Sequence, residues 1–163
     1  MLIYSTPGTG KTTLCLSDRN YQDGDDLLVE CIRSASTVNI DTIMSFHTKS
    51  PNYDNSKELG KFVLQCYNNG CGDEIEKAYS LYRLELLRFN GTHTRICLFG
   101  TRRFMWMAKT IFTEHDFNTL SQRKDPDNAQ CIIAKEIESI KRWNLKTISL
   151  NGKFISEALC INV

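Results

Sequence analysis

A short apolar run, Leu2-Ile3-Tyr4, breaks at Ser5 into Thr6-Pro7-Gly8-Thr9-Gly10-Lys11-Thr12-Thr13, after which Leu14 and Leu16 resume at helical spacing. That order predicts a strand, a loop and a helix within residues 1–18. Tyr21 to Asp23 predicts a second short strand, closed by the turn-prone cluster Asp23-Gly24-Asp25-Asp26, and Leu27 to Arg33 a helix. The stretch from Ser34 to Asn55 has no clean period and reads as a loop with a short helix around Thr42 to His47, a segment suited to act as a flap. Ser56 to Tyr67 and Asp73 to Phe89 predict helices. The second carries Ile75, Tyr79, Tyr82, Leu86 and Phe89 on one face, with Asp73 as cap and Asn90-Gly91 as terminator. Arg95 to Phe99 is a continuous apolar run of the kind buried on both faces of a parallel sheet. Gly100 and an amphipathic segment from Phe104 to Phe112 follow, giving a second strand-to-helix unit. Asp127 to Trp143 predicts a helix with Ala129, Ile133, Ile137 and Ile140 along one stripe and Asp127 at the cap, and Thr147 to Leu150 ends the sheet.

Strands alternating with helices imply an α/β fold with a central parallel sheet flanked by helices in three layers, and ligands bound beyond the carboxyl ends of its strands. The 163 residues suit one domain, 1–163, with an acceptor flap over 34–72 and a short lid over 118–128. At 41% hydrophobic and 24% charged residues the chain is of ordinary globular type, which excludes fibrous and disordered classes. Lysine and arginine number 20 against 19 acidic residues; the net charge of +1 gives no field to coat duplex DNA. The seven cysteines are odd in number, dispersed and set in apolar runs, as expected of reduced, buried thiols in a reducing compartment. No run reaches membrane-spanning length, and the first residues show neither a basic leader nor a cleavage site, so a cytoplasmic protein is expected. His47, His93 and His115 read as surface residues, and Met105, Trp106 and Met107 as packing against the sheet.

Ser5 to Thr12 fits the phosphate-loop pattern except at its first position, where Ser5 stands for glycine. Gly8 and Gly10 let the backbone turn its amides inward and the following helix presents its positive end. Lys11 can reach the β and γ phosphates, and the Thr12 hydroxyl can bind magnesium. Ser5, Thr6, Pro7, Gly8, Thr9, Gly10, Lys11, Thr12 and Thr13 are therefore the candidate ATP-binding residues.

Whether such a loop drives motion or donates phosphate depends on the rest of the chain. The strand Ile96 to Phe99 ends in Gly100 rather than in the acid a motor ATPase uses for magnesium, and neither an Asn-Lys-x-Asp nor an Asp-x-x-Gly motif of a GTPase occurs. The acidic cluster at Asp23 to Asp26 is what remains. Phosphoryl transfer to a hydroxyl uses one carboxylate to orient the nucleophile and accept its proton, and another can hold magnesium through water; Asp23 and Asp25 are the candidates, Asp23 also for the metal. The alternative reading of the cluster is a solvated turn.

With these residues in place, the chain resembles the small P-loop kinases that phosphorylate nucleosides, nucleotides, sugars or polynucleotide ends, whose Asp-x-Asp at the second strand is similar to Asp23-Gly24-Asp25. Gly100-Thr101-Arg102-Arg103 resembles the arginine turn of adenylate-kinase-like enzymes, and Arg123-Lys124-Asp125-Pro126-Asp127-Asn128 resembles their lid. The likeness implies a P-loop NTPase fold of the nucleotide-kinase type. Arg102 and Arg103 would grip the acceptor, Arg123 would act as a catalytic lid cation, and Lys124 would contact substrate. Ser5, Phe99 in place of an aspartate and Lys135 in place of a second arginine depart from strict adenylate kinase and look more like a bacteriophage-type small kinase.

The implied activity is magnesium-dependent transfer of the γ-phosphate of ATP to a nucleoside or (deoxy)nucleoside monophosphate, in the host cytoplasm if the source is viral. The alternatives are a kinase of a hydroxyl in DNA, at a polynucleotide end or a hydroxymethylpyrimidine, and a non-catalytic ATP-binding regulatory module. No membrane partner is expected, and the sequence leaves the oligomeric state open.

Overall fold

The computed structural model describes residues 1–35, 55–91 and 94–161. The chain divides into two compact units, Met1–Gly24 with Phe89–Val163, and Asp25–Arg88.

The first unit holds a five-stranded, all-parallel sheet in the order β2-β3-β1-β4-β5, formed by β1 (Leu2–Ser5), β2 (Tyr21–Asp23), β3 (Ile96–Phe99), β4 (Thr110–Thr113) and β5 (Ile148–Ser149). Leu2 through Ser5 are all buried, as a central strand covered on both faces requires. Ile3, Leu98 and Phe112 line one face and form a core with Leu150, Ile155 and Ala158. Leu14 and Cys15 of α1 (Lys11–Ser17) pack against this core, and Ile155 and Ala158 belong to the helix Ile155–Ile161. Tyr4 and Phe99 lie on the other face, ring edge to ring face at 5.6 Å. Glu136, from the helix Pro126–Trp143, hydrogen-bonds the Tyr4 hydroxyl there. Helices thus flank both faces of the sheet.

The chain passes from β3 across β1 to β4 within residues 100–109. These hold a 3-10 turn, Arg102–Met107, in place of the expected amphipathic helix from Phe104 to Phe112. Met105 and Met107 are buried beneath the turn, whereas Trp106 is 43% exposed. Ile111 and Phe112, read as the end of that helix, instead form an interior strand, because two adjacent buried apolar residues suit the two faces of a sheet.

The second unit contains α2 (Gly24–Ala35), α3 (Asn55–Asn68) and α4 (Gly72–Asn90). The acidic cluster is not a turn: β2 runs directly into α2, which begins at Gly24 and has Asp25 and Asp26 in its first turn. Leu27, Leu28, Cys31 and Ile32 are buried on α2, and Ile75, Ala78, Tyr82 and Leu86 on α4. The Tyr67 hydroxyl donates to the Glu76 carboxylate and ties α3 to α4. Of the flap 34–72, residues 36–54 lie outside the described residues, and with them the short helix expected from Thr42 to His47; the remainder is largely α3.

Residues 118–128 fall across α5 (Phe117–Arg123), Lys124-Asp125 and the start of α6 (Pro126–Trp143); the final helix Ile155–Ile161 is α7. The Asp116 carboxylate caps α5 by accepting from the Thr119 amide and hydroxyl, contacts that hold its carboxyl below the usual carboxylate range. Asp125, not Asp127, caps α6 by accepting from the Asn128 amide, because Pro126 fixes the first helical position and leaves Asp127 inside the first turn. On α6 the buried residues are Ala129, Glu136 and Ser139, while Ile137, expected in the core stripe, is 37% exposed. Among the described residues no helix is long and apolar enough to cross a membrane.

Candidate functional site

At the carboxyl end of the central strand β1, Gly8 and Gly10 adopt φ of 86° and 87°, a left-handed conformation that costs a side-chain-bearing residue ~1–2 kcal/mol. Left-handed residues on either side of Thr9 turn the backbone sharply between strand and helix. Phe112 pins the entrance by accepting from the Thr6 amide at 3.2 Å, and the Ile155 amide pins the crest by donating to the Thr9 carbonyl at 2.9 Å.

Lys11 opens α1 but is buried, and its Nζ arches back over the loop to donate to the carbonyls of Ser5 at 3.0 Å and Thr6 at 3.2 Å. The Thr9 hydroxyl donates its one proton to the Thr6 carbonyl at 2.7 Å, so the Ser5 hydroxyl, 2.7 Å from Thr9 Oγ1, must be the donor to it. Ser5, the departure from the phosphate-loop pattern, therefore supplies an internal brace that glycine lacks. Thr12 is half-buried and Thr13 exposed, both in the first turn of α1.

The two cations of the expected lid stand beside the loop. A Cβ added to Gly8 would lie 3.2 Å from Lys124 Cε and 3.6 Å from Arg123 Cβ. Arg123 donates through Nη2 to the Gly152 carbonyl at 2.6 Å, and its guanidinium carbon lies 4.1 Å from the centre of the Phe154 ring, a cation–π stack. The same ring approaches to 3.1 Å of a Cβ placed on Gly10. Arg123 and Phe154 thus share one wall of the loop.

The two arginines of the turn after β3 separate. Arg102 lines a cavity of about 220 Å³ with Tyr4, Pro7, Gly100, Lys135 and Glu136, while Arg103 is exposed. Asp23 is buried at the end of β2, in register with Leu98 and through it with Ile3. It lies two strands from β1, about 10 Å across the sheet. Asp25 stands in the first turn of α2.

Sequence reasoning missed the buried acids behind the loop. Glu136 is 1% exposed; its Oε1 accepts from the Tyr4 hydroxyl at 2.5 Å, and its Oε2 from the Thr6 hydroxyl at 2.8 Å. His115, expected at the surface, sets Nε2 2.9 Å from the same Oε2 and is only 27% exposed in its side chain. It is drawn in because the buried carboxylate has acceptor capacity to satisfy. The signal was present: Glu136 sits between Ile133 and Ile140 on the apolar stripe of α6, where a charge needs partners. His47 and His93 lie outside the described residues.

An acid does follow a buried strand, but it is Glu114 after β4 rather than a residue after β3. Both of its oxygens accept from backbone amides, Oε1 from Asp116 at 3.0 Å and Oε2 from Gly152 at 2.6 Å, which commits the carboxylate to holding the turn before α7. The cysteines are free, and their burial is mixed. Cys31, Cys66 and Cys97 are buried, whereas Cys131, which lines the cavity beside Arg102, and Cys160 are exposed, against the burial expected for them.

Comparison with protein-family models, curated proteins and solved structures gave no match.

Proposed function

We propose that this chain is a magnesium- and ATP-dependent phosphotransferase of the P-loop, nucleotide-kinase-like type, moving the γ-phosphate of ATP to a nucleoside or (deoxy)nucleoside monophosphate. The observation that carries the reading is the loop at the end of β1, with left-handed Gly8 and Gly10 and the Lys11 ammonium held over the Ser5 and Thr6 carbonyls. A glycine turn of this kind beside a fixed ammonium would suit a polyphosphate, and its place at the carboxyl end of a central parallel strand is where α/β folds bind ligands. The sheet order supports it: the link after β1 leads toward β2, while β4 continues away to β5 on the other side, so the loop sits where connections diverge.

The donor set fits Mg-ATP. Lys11 would pair with its phosphates, the Thr12 hydroxyl would hold magnesium, Asp23, two strands away, would reach that ion through water, and the nucleotide supplies an activated γ-phosphoryl group. Lys124 and Arg123, beside Gly8, add positive charge where the triphosphate would lie. Arg102, in the cavity with Pro7 and Gly100, suits bidentate contact with an acceptor phosphate. Asp25 is the residue assigned to orient the accepting oxygen.

The test is incubation with γ-labelled ATP, magnesium and a panel of deoxynucleosides, deoxynucleotides and DNA containing hydroxymethylated pyrimidines. Label on a nucleoside or nucleoside monophosphate is the expected result. Label only in free phosphate overturns it in favour of hydrolysis, label in DNA replaces the acceptor, and binding without any transfer leaves a non-catalytic module.

A further inference from the structure

Glu136 joins the loop to the rest of its unit. The carboxylate is 1% exposed, on α6, and its nearest partner in the loop is 130 residues away in the chain. Through Oε2 it accepts from the Thr6 hydroxyl, which itself accepts from the Glu114 amide at 3.0 Å, so both functions of that hydroxyl are used. The Thr6 carbonyl is in turn the shared acceptor for Lys11 Nζ and the Thr9 hydroxyl. Two hydrogen bonds joined by the covalent frame of Thr6 therefore lead from the buried acid to the loop ammonium: one from the Thr6 hydroxyl to Glu136, and one from Lys11 to the Thr6 carbonyl. Oε1 holds the strand side through Tyr4, and His115 adds a third partner at the half-exposed end.

A fully partnered buried carboxylate fixes its neighbours more firmly than neutral groups do, because bonds to a charged acceptor are about twice as strong as neutral ones. A buried acid is also costly unless every partner is present, so its place behind a loop that must keep one shape calls for a role in setting that shape. We infer that Glu136 is a positioning residue for polyphosphate binding: acting through Thr6, it sets the carbonyl on which Lys11 rests. This rests on the reading of residues 5–13 as a phosphate loop.

The test measures binding of Mg-ATP and of magnesium with inorganic triphosphate by calorimetry, with melting temperature recorded for each variant. Glu136→Gln turns an amide N–H toward one of the donors. Thr6→Val removes the hydroxyl at constant shape, and Thr6→Ser restores it. Ser139→Ala, on the same buried face of α6, reports what loss of helix packing alone does. The inference expects Glu136→Gln and Thr6→Val to weaken binding at least about tenfold. Thr6→Ser should bind within about threefold of the native chain, and Ser139→Ala should change melting temperature alone. If Glu136→Gln does not fold, the Thr6→Val and Thr6→Ser pair decides. Folded Glu136→Gln and Thr6→Val proteins that bind as the native chain does would overturn the inference and leave the loop reading intact. A native chain that binds neither ligand would overturn the loop reading, and the inference with it.

Discussion

A Cβ atom on Gly100 would lie 3.0 Å from Lys11 Nζ and 3.3 Å from Lys11 Cε, so the residue that follows β3 and the loop lysine compete for one space. The backbone carbonyl of Ser5, at 3.4 Å, closes the same space from the other strand. Gly100→Ala should therefore displace the ammonium from its two carbonyls. Overpacking of this kind costs ~1–3 kcal/mol, and the expected readout is Mg-ATP binding weakened about tenfold with little change in far-UV circular dichroism. Unchanged affinity would show that Lys11 is not held in place by this contact.

Gly8→Ala combines a left-handed backbone, φ 86°, with a close approach to the Lys124 stem at 3.2 Å. The conformational cost alone is ~1–2 kcal/mol, which in a chain of this size lowers the melting temperature by about 2–8 °C. Calorimetric melting without ligand checks it, and nucleotide should restore less stability to this variant than to the native chain.

Variants of Asp23 and Asp25 test transfer apart from binding. If the two carboxylates orient the acceptor and support magnesium, changing both to Asn lowers the rate of phosphoryl transfer by about 10²- to 10⁴-fold and leaves ATP affinity within a few-fold. Single-turnover kinetics with labelled ATP would measure the first, and equilibrium titration the second. Undiminished transfer to every acceptor would remove both carboxylates from the mechanism.

The thiols should react in order of exposure and acidity. Burial, with Glu85 and Glu30 adding to it, pushes the Cys31 thiol up to about 11, and burial also raises Cys66. At pH 8 about one Cys31 in a thousand is thiolate, so alkylation with mass-spectrometric readout should label exposed Cys131 and Cys160 first and Cys31 and Cys66 last. The folded state favours the neutral Cys31 thiol. Its contribution to stability is therefore complete below the ordinary value of 9.0 and is lost as pH rises toward about 11. Chemical denaturation at rising pH should show that decline, and a smaller one that levels off at lower pH if Glu85→Gln removes the nearby charge.

Where turn residues separated the runs, the strands and helices could be read from the chain. Leu2 to Ser5, Tyr21 to Asp23 and Ile96 to Phe99 form strands, and Asn55–Asn68, Gly72–Asn90 and Pro126–Trp143 form helices close to the expected bounds. Strand β4 was hidden because only Ala108 and Lys109, neither a breaker, lie between the 3-10 turn and Thr110, so two elements merged into one amphipathic pattern. Helix α5 was hidden because it buries Leu120 alone; its signal was Asp116 three residues before Thr119, followed by Asp125-Pro126. At the site, glycines and lysine eight or fewer residues apart form a local pattern. The bonds of Glu136 to Tyr4 and Thr6 span more than a hundred residues and exist only once the sheet has formed.

The central claim is that residues 5–13 hold a polyphosphate through Lys11, and calorimetric titration of the native chain and of Lys11→Ala with ATP and magnesium tests it most directly. The account predicts saturable one-to-one binding by the native chain and a loss of at least about a hundredfold in the variant, as removal of a charge-assisted phosphate contact implies. Equal binding by the two proteins, or no binding by the native chain, would contradict it.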